Sequence, residues 1–286
     1  MKEKMRQSED NKYIPMTSIS SGKGKEVKND VYYYTNQIVN VIMIGDPAED
    51  SWVLIDAGMP KSSDEILKVA EKRFGKGNKP SAIILTHGHF DHVGGLVHLL
   101  DEWNVPVYAH PLEFLYLVGE KRYPEPDTTV EGGILAKISS IFPIEPIDIS
   151  GVLQELPKDM SVPRLPDWQW IHVPGHAPGQ IALYRAKDGV LIAGDAFVTV
   201  KQDSLYKVLI QKNEVHGPPV YLTTNWEMAE KSVKKLAALN PKIAITGHGQ
   251  YMEGEELENG LQDLATNFKE RAVPSHGKFV RDERKE

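Results

Sequence analysis

Residues 86–95 read T-H-G-H-F-D-H-V-G-G, and the apolar run SAIILT leads directly into them. A near-continuous apolar run of this length is the mark of a strand buried on both faces. His87, His89, Asp91 and His92 therefore stand at the end of a buried strand. A single histidine is more often a structural hydrogen-bonding residue. Three imidazoles and a carboxylate within six residues are hard to satisfy by packing, and they are the donors that transition metals take. Two histidines one residue apart in an extended turn point to the same side and grip one ion. Asp91 and His92 then face a second ion beside it. Gly88, Gly94 and Gly95 permit the tight backbone this needs.

Working outward, the chain alternates short β-rich runs with helical patterns. Val39–Ile44 and residues 52–56 (WVLID) read as strands separated by the turn-like GDPAEDS. Ser62 and Glu65 have capping-box spacing ahead of the helical ILKVAEKRF. A helix start is expected at 94–100, and VPVYAH reads as another strand. From Pro111 to about Pro166 the chain is proline-rich and irregular. Three strands follow, WQWIHV, QIALYRA and VLIAGD, the last two joined by the hairpin-like KDG. Thr224 and Glu227 frame a second capping box. The helix behind it carries Trp226, Ala229, Val233 and Leu236 on one stripe and stops at Asn240-Pro241. KIAIT is a last strand and residues 255–269 a last helix.

Three more donors stand just past strands: His176 in WIHVPGHAPGQ, Asp195 in VLIAGDA and His248 in IAITGHGQ. Each is flanked by glycine. Taken singly, each reads equally well as a capping or core polar residue. Together with the first cluster they give the order His-x-His-x-Asp-His, His, Asp, His, a full set for two metals.

Composition bounds the partners. Of 286 residues, 41% are hydrophobic and 26% charged, ordinary for a globular chain that buries a full core. The net charge of −7 opposes a nucleic-acid role, which needs a concentrated basic face. There is no cysteine, so histidine and carboxylate are the strong transition-metal ligands available. The start, MKEKMRQSEDNKYIP, lacks the apolar run of a signal peptide, and no stretch reaches the roughly 18 apolar residues of a membrane span. The expectation is a cytoplasmic protein acting on a small molecule, with no nucleic-acid or membrane partner. The oligomeric state is left open, a homodimer among the options. No repeat or linker divides the chain, so one domain over 1–286 is expected, with its core at about 31–270 and frayed ends.

The donor order resembles that of the metallo-β-lactamase superfamily, the glyoxalase II-like hydrolases, over residues 31 to 268. The resemblance implies an α/β four-layer αββα sandwich, two sheets face to face with helices outside. It implies that His87, His89 and His176 hold one metal, that Asp91, His92 and His248 hold the other, and that Asp195 bridges both. Asp56, closing WVLIDAG, matches an early aspartate that supports a ligand rather than touching metal. Two divalent ions are implied. Zinc suits the imidazole-rich set best, and Mn2+ or Fe2+ accept the same donors. The implied chemistry is hydrolysis by a hydroxide bridging the two ions, with Asp91 orienting the nucleophile and carrying a proton to the leaving group.

Departures from particular families narrow the substrate. Class B1 β-lactamases have arginine at the His92 position and a cysteine absent here. Class B3 enzymes usually lack the bridging aspartate that Asp195 supplies, so β-lactam hydrolysis is not the expected role. Flavodiiron proteins have glutamate at the His89 position and an added flavodoxin domain. Glyoxalase II proper has a basic C-terminal helical region, whereas Lys269 and Arg271 here read as solvated charges. Acyl-homoserine lactonases have a tyrosine three residues past the bridging aspartate, where this chain has Val198. The usual GHTPGH or GHTPGS reads GHAPGQ, so Gln180 departs at a position that is not a ligand. The expected reaction is hydrolysis of a small ester, lactone or thioester. The alternatives are an iron-dependent oxidoreductase like the persulfide dioxygenases and a phosphodiesterase. Specificity is expected from residues 112–127 and 197–226, with Tyr206, His216 and Tyr221 as candidate substrate contacts. His98, His110, His172 and His276 read as structural or exposed.

Overall fold

VNVIMI, WVLID and SAIILT are rich in β-branched and large aliphatic residues, which suit strands packed on both faces. In the computed structural model, which describes residues 5–130, 133–200 and 214–280, they become the middle of a seven-stranded sheet. Its strands are β1 (Gly24–Lys28), β2 (Val31–Asn36), β3 (Val39–Ile44), β4 (Val53–Ile55), β5 (Ala82–Ile84), β6 (Val107–Ala109) and β7 (Leu153–Glu155), in that order. Every residue of β3, β4 and β5 is buried. β1 to β4 pair antiparallel in sequence order. β4 to β7 pair parallel and need crossovers. Helix α1 (Ser63–Phe74) makes the crossover from β4 to β5, and helices α2 (Phe90–Val93) and α3 (Leu96–Trp103) that from β5 to β6.

The chain divides into two compact units, residues 1–124 with 143–170 and residues 125–142 with 171–286. In the first, Ile66, Ala70 and Phe74 of α1 and Leu96, Leu99, Leu100 and Trp103 of α3 share a core with β3 to β6. Trp52 stacks on Phe74 at 4.4 Å and meets Trp103 edge-on at 5.6 Å, each pair adding about 0.5–1.5 kcal/mol beyond its area burial. The first unit also holds the hairpin of β8 (Ser161–Val162) and most of β9 (Leu165–His172).

In the second unit, β10 (Ile181–Arg185) and β11 (Val190–Gly194) pair antiparallel, β11 and β12 (Ile243–Thr246) parallel, and β12 and β13 (Met252–Glu253) antiparallel. The stripe of Trp226, Ala229, Val233 and Leu236 is buried on the helix Trp226–Ala237, in a core shared with Leu257, Leu261 and Leu264 of the helix Gly254–Thr266.

Two local expectations fail. Ser62 makes no side-chain cap: its hydroxyl faces Ala57 O, and the Glu65 carboxylate accepts from Tyr34 Oη at 3.1 Å and Asn36 Nδ2 at 2.9 Å. Tertiary partners win both side chains from the helix end. The cap of the later helix is Asn225, not Thr224, with its side chain accepting from the Met228 N–H at 3.0 Å. Within the first unit, Arg6 and Asp148 exchange backbone bonds of 2.9 and 2.8 Å, and Gln7 Nε2 donates to Gly94 O at 2.9 Å. In the second unit, the Lys278 N–H donates to Asp127 and Val280 packs on the core. Among the described residues, no helix is long and apolar enough to cross a membrane.

Candidate metal centre

The first donor group is built on adjacent parallel strand ends. Ile55 of β4 lies beside Ile84 of β5, so Asp56 and Thr86 emerge as neighbours. The Asp56 carboxylate accepts from the Thr86 N–H and from Thr86 Oγ1, both at 2.8 Å. Its Oδ2 also meets His92 Nδ1 at 2.8 Å, and Thr86 Oγ1 meets His87 Nδ1 at 3.1 Å. With Nδ1 engaged in both rings, Nε2 is the nitrogen each presents as a ligand. A hydrogen bond of this kind fixes the tautomer and orientation of a metal-binding imidazole.

His87, His89, Asp91 and His92 are all buried. The rings of His87 and His89 lie 4.6 Å apart and those of His87 and His92 4.1 Å apart. Donor atoms of the pairs His87–His89, His87–His92 and Asp91–His92 fall within 4.8 Å of each other. α2 carries Asp91 and His92 and is braced from behind by backbone bonds from the Ala57 N–H to His92 O (2.7 Å) and from the Gly94 N–H to Gly58 O (2.9 Å).

Glu113 and Tyr123, which the motif does not reveal, close the other side of this loop. The Gly88 N–H meets Glu113 Oε2 at 2.9 Å and Tyr123 Oη at 3.1 Å, and Tyr123 donates to Glu113. Burial first, and then the neighbouring Glu113 carboxylate, push the Tyr123 phenol well above its ordinary value, so it remains a neutral donor.

The second group repeats the logic. Asp195 follows β11 and His248 lies two residues past β12, the parallel pair of this unit. His248 Nε2 lies 3.3 Å and His176 Nε2 3.5 Å from Asp195 Oδ2. His176 Nδ1 meets Thr223 Oγ1 at 3.1 Å, so Nε2 is again the presented nitrogen. Gln180 is fully buried, and with its amide turned so that the oxygen faces the backbone, that oxygen accepts from the Asp195 N–H at 2.9 Å and the Ala196 N–H at 2.5 Å. The departure GHAPGQ thus holds the backbone that carries Asp195. Thr246 Oγ1 donates to His248 O at 2.7 Å, and Thr199 Oγ1, 3.0 Å from Thr246 Oγ1, donates to Gln250 O at 2.6 Å.

Both groups fit a divalent transition metal by donor chemistry: five imidazoles and two carboxylates, buried, with three imidazoles anchored through Nδ1. The signal for the anchors Thr86 and Asp56 was present in the sequence as strand-end polar residues. Thr223, Glu113 and Tyr123 stand 25 to 47 residues from their partners, and no spacing announces them.

The other histidines have structural settings. His98 is exposed, His110 accepts from the Leu112 N–H at 3.3 Å, His172 Nε2 meets Pro178 O at 2.9 Å and His276 meets Ser275. His216 pairs with Glu214 at 3.2 Å, and Tyr221 is buried against Phe142. Tyr206 lies outside the described residues.

A family model described as the metallo-beta-lactamase superfamily matches residues 34–248. The chain is 49% identical over 257 residues to the probable metallo-hydrolase YflN of Bacillus subtilis (strain 168), covering 90% of this chain and 97% of that one. It is 31% identical over 209 residues to the probable metallo-hydrolase YybB of the same organism, covering 73% and 80%. Among solved structures, the Rm3 metallo-beta-lactamase is similar with a TM-score of 0.56 and 21% identity, covering 85% of this chain and 83% of that one. A likeness at that identity speaks for the fold, which is the α/β sandwich class the motif implied. With two sheets, a buried histidine and aspartate donor set and a family match across three quarters of its length, the chain belongs to the metallo-beta-lactamase superfamily and is a metal-dependent hydrolase.

Proposed function

We propose that the two donor groups form one dinuclear centre and that it hydrolyses a small ester, lactone or thioester. The observation that carries this reading is the pairing of anchored imidazoles with carboxylates at the ends of two parallel strand pairs. In the superfamily's order, His87, His89 and His176 would hold one divalent ion and Asp91, His92 and His248 the other, with Asp195 contributing to both. Zinc is the ion we assign, since most of the donors are imidazoles. When bound, such a pair would lower the pKa of a water toward about 7 and polarise the bond under attack.

The chain's own residues supply orientation and proton handling. Asp56 holds His92 through Nδ1 and Thr86 holds His87, which keeps both Nε2 atoms in place as water enters and product leaves. Asp91 orients the nucleophile and passes a proton to the leaving group. Residues 114–123, expected to influence specificity, are anchored in part: Tyr116, Leu117 and Tyr123 are buried, whereas Leu115 is 47% exposed. The exposed side of this segment is where we place substrate discrimination. The net charge of −7 supports a small neutral substrate over a polyanion, and we read the protein as acting in the cytoplasm without a nucleic-acid or membrane partner.

The test is a substrate panel on purified protein loaded with zinc or manganese and assayed without oxygen. Lactones, aryl esters and thioesters should turn over, with activity abolished by chelator and restored by metal. No turnover on any carbonyl ester, alongside oxygen uptake with a persulfide or cleavage of a phosphodiester, contradicts this reading.

A further inference from the structure

The peptide that links His87 to His89 is held by a buried acid and a buried phenol. Glu113 has no exposed surface, and its Oε2 accepts from the Gly88 N–H at 2.9 Å. Tyr123 Oη lies 3.1 Å from the same N–H and donates to the same carboxylate. The Tyr123 ring stacks on Tyr116 at 4.0 Å, with 7% of the residue exposed, and meets the His89 ring at 4.4 Å, inclined by 62°. One cluster therefore touches the amide between the two histidines and the face of one of them. Gly88 is the residue type that admits it: an added Cβ would lie 2.8 Å from Tyr123 Oη and 3.3 Å from Glu113 Oε2.

Geometry makes this more than packing. A buried carboxylate is costly unless it is hydrogen-bonded, and here two of its donors are a ligand-loop amide and a phenol. The Gly88 N–H belongs to the 87–88 peptide, so rotation of that peptide plane would break the Gly88 bond and change the orientation of His87 relative to His89. Charge-assisted bonds are roughly twice as strong as neutral ones, so the carboxylate resists that rotation. The Tyr123 ring sets the tilt of His89 from the other side.

We infer that Glu113 and Tyr123 are positioning residues that fix the relative orientation of His87 and His89 and so set the affinity of the centre for the ion those two hold. This rests on the reading that His87 and His89 are metal ligands. The pair acts through Gly88 and His89 and touches no reacting atom. Asp56 and Thr86 anchor His87 and His92 from the strand side, and the Glu113–Tyr123 pair is their counterpart on the loop side.

The experiment uses full-length protein with Zn2+ and Co2+ as the probes, in the wild type and in Tyr123→Phe, Glu113→Gln and His89→Ala. Tyr123→Phe keeps the ring contacts and removes only the hydroxyl. Glu113→Gln keeps the shape and removes the charge. Affinity is read by competition with a chromophoric chelator, coordination by the visible spectrum of the Co2+ protein, and folding by thermal melting of the metal-free protein. Tyr123→Phe should weaken binding of one ion by about 10- to 100-fold and alter the Co2+ spectrum, with a metal-free melting temperature close to wild type. Glu113→Gln should do the same or more, and if it fails to fold, Tyr123→Phe decides alone. Unchanged affinity and spectrum in Tyr123→Phe would show the pair to be packing only and overturn the inference. Wild-type affinity and spectrum in His89→Ala would instead remove the ligand reading beneath it.

Discussion

Asp56 has a φ of 61°, a left-handed conformation that a non-glycine residue holds only against a cost of order 1–3 kcal/mol. Its carboxylate shows what offsets the cost, since one side chain binds the Thr86 N–H, Thr86 Oγ1 and His92 Nδ1 together. Asp56→Asn keeps the size and removes the charge that supports His92. Zinc affinity should fall by about 10- to 100-fold, measured by chelator competition, while the fold stays intact by circular dichroism. Wild-type affinity in that variant would strip Asp56 of its supporting role. At this scale the sequence was most legible. His87, His89, Asp91 and His92 announced themselves because four donors crowd one turn, and Asp56 because it closes an apolar strand. Glu113, Tyr123 and Thr223 were silent because each meets its partner across a long stretch of intervening chain. Gln180 was visible only as a departure, and its buried contact with two backbone N–H groups gives that departure a use.

Elements explain why the donors converge at strand ends. In each unit a parallel pair, β4 with β5 and β11 with β12, ends with its carboxyl termini side by side and delivers one carboxylate and one histidine-bearing loop. The apolar runs made these strands readable. The helix ends were less so, because Ser62 and Glu65 found tertiary partners and Asn225 took the cap one residue from the expected Thr224. The His176 loop depends on Gly175, whose φ is 136° and whose added Cβ would lie 2.4 Å from Ala229 N. The Thr224 and Asn225 N–H groups both donate to Gly175 O, at 3.2 and 3.0 Å, so loop and helix start are one structure. Gly175→Ala should therefore lower both stability and bound metal. Asn225→Ala removes a cap from the same helix start and should cost about 1 kcal/mol in denaturant unfolding with metal content unchanged. No loss of metal in Gly175→Ala would detach the loop from the helix that is argued to hold it.

At the scale of the whole molecule, each unit has its own apolar core and its own donor group, four donors in the first and three in the second. Composition made the broad class readable, and the donor order made the superfamily readable, since the family match at 34–248 lies within the span the motif implied. Substrate identity was not readable, because the segments expected to choose it carry aromatic and proline residues of no single chemistry, and part of the second lies outside the described residues. The central claim is that both donor groups serve one pair of ions joined by Asp195. Elemental analysis of protein purified without chelator and resupplied with zinc tests it most directly, run on the wild type beside Asp195→Ala. The account predicts two ions per wild-type chain and a clear loss of metal, with the fold retained, in Asp195→Ala. No more than one ion per wild-type chain after supplementation, or two ions still held by Asp195→Ala, would contradict it.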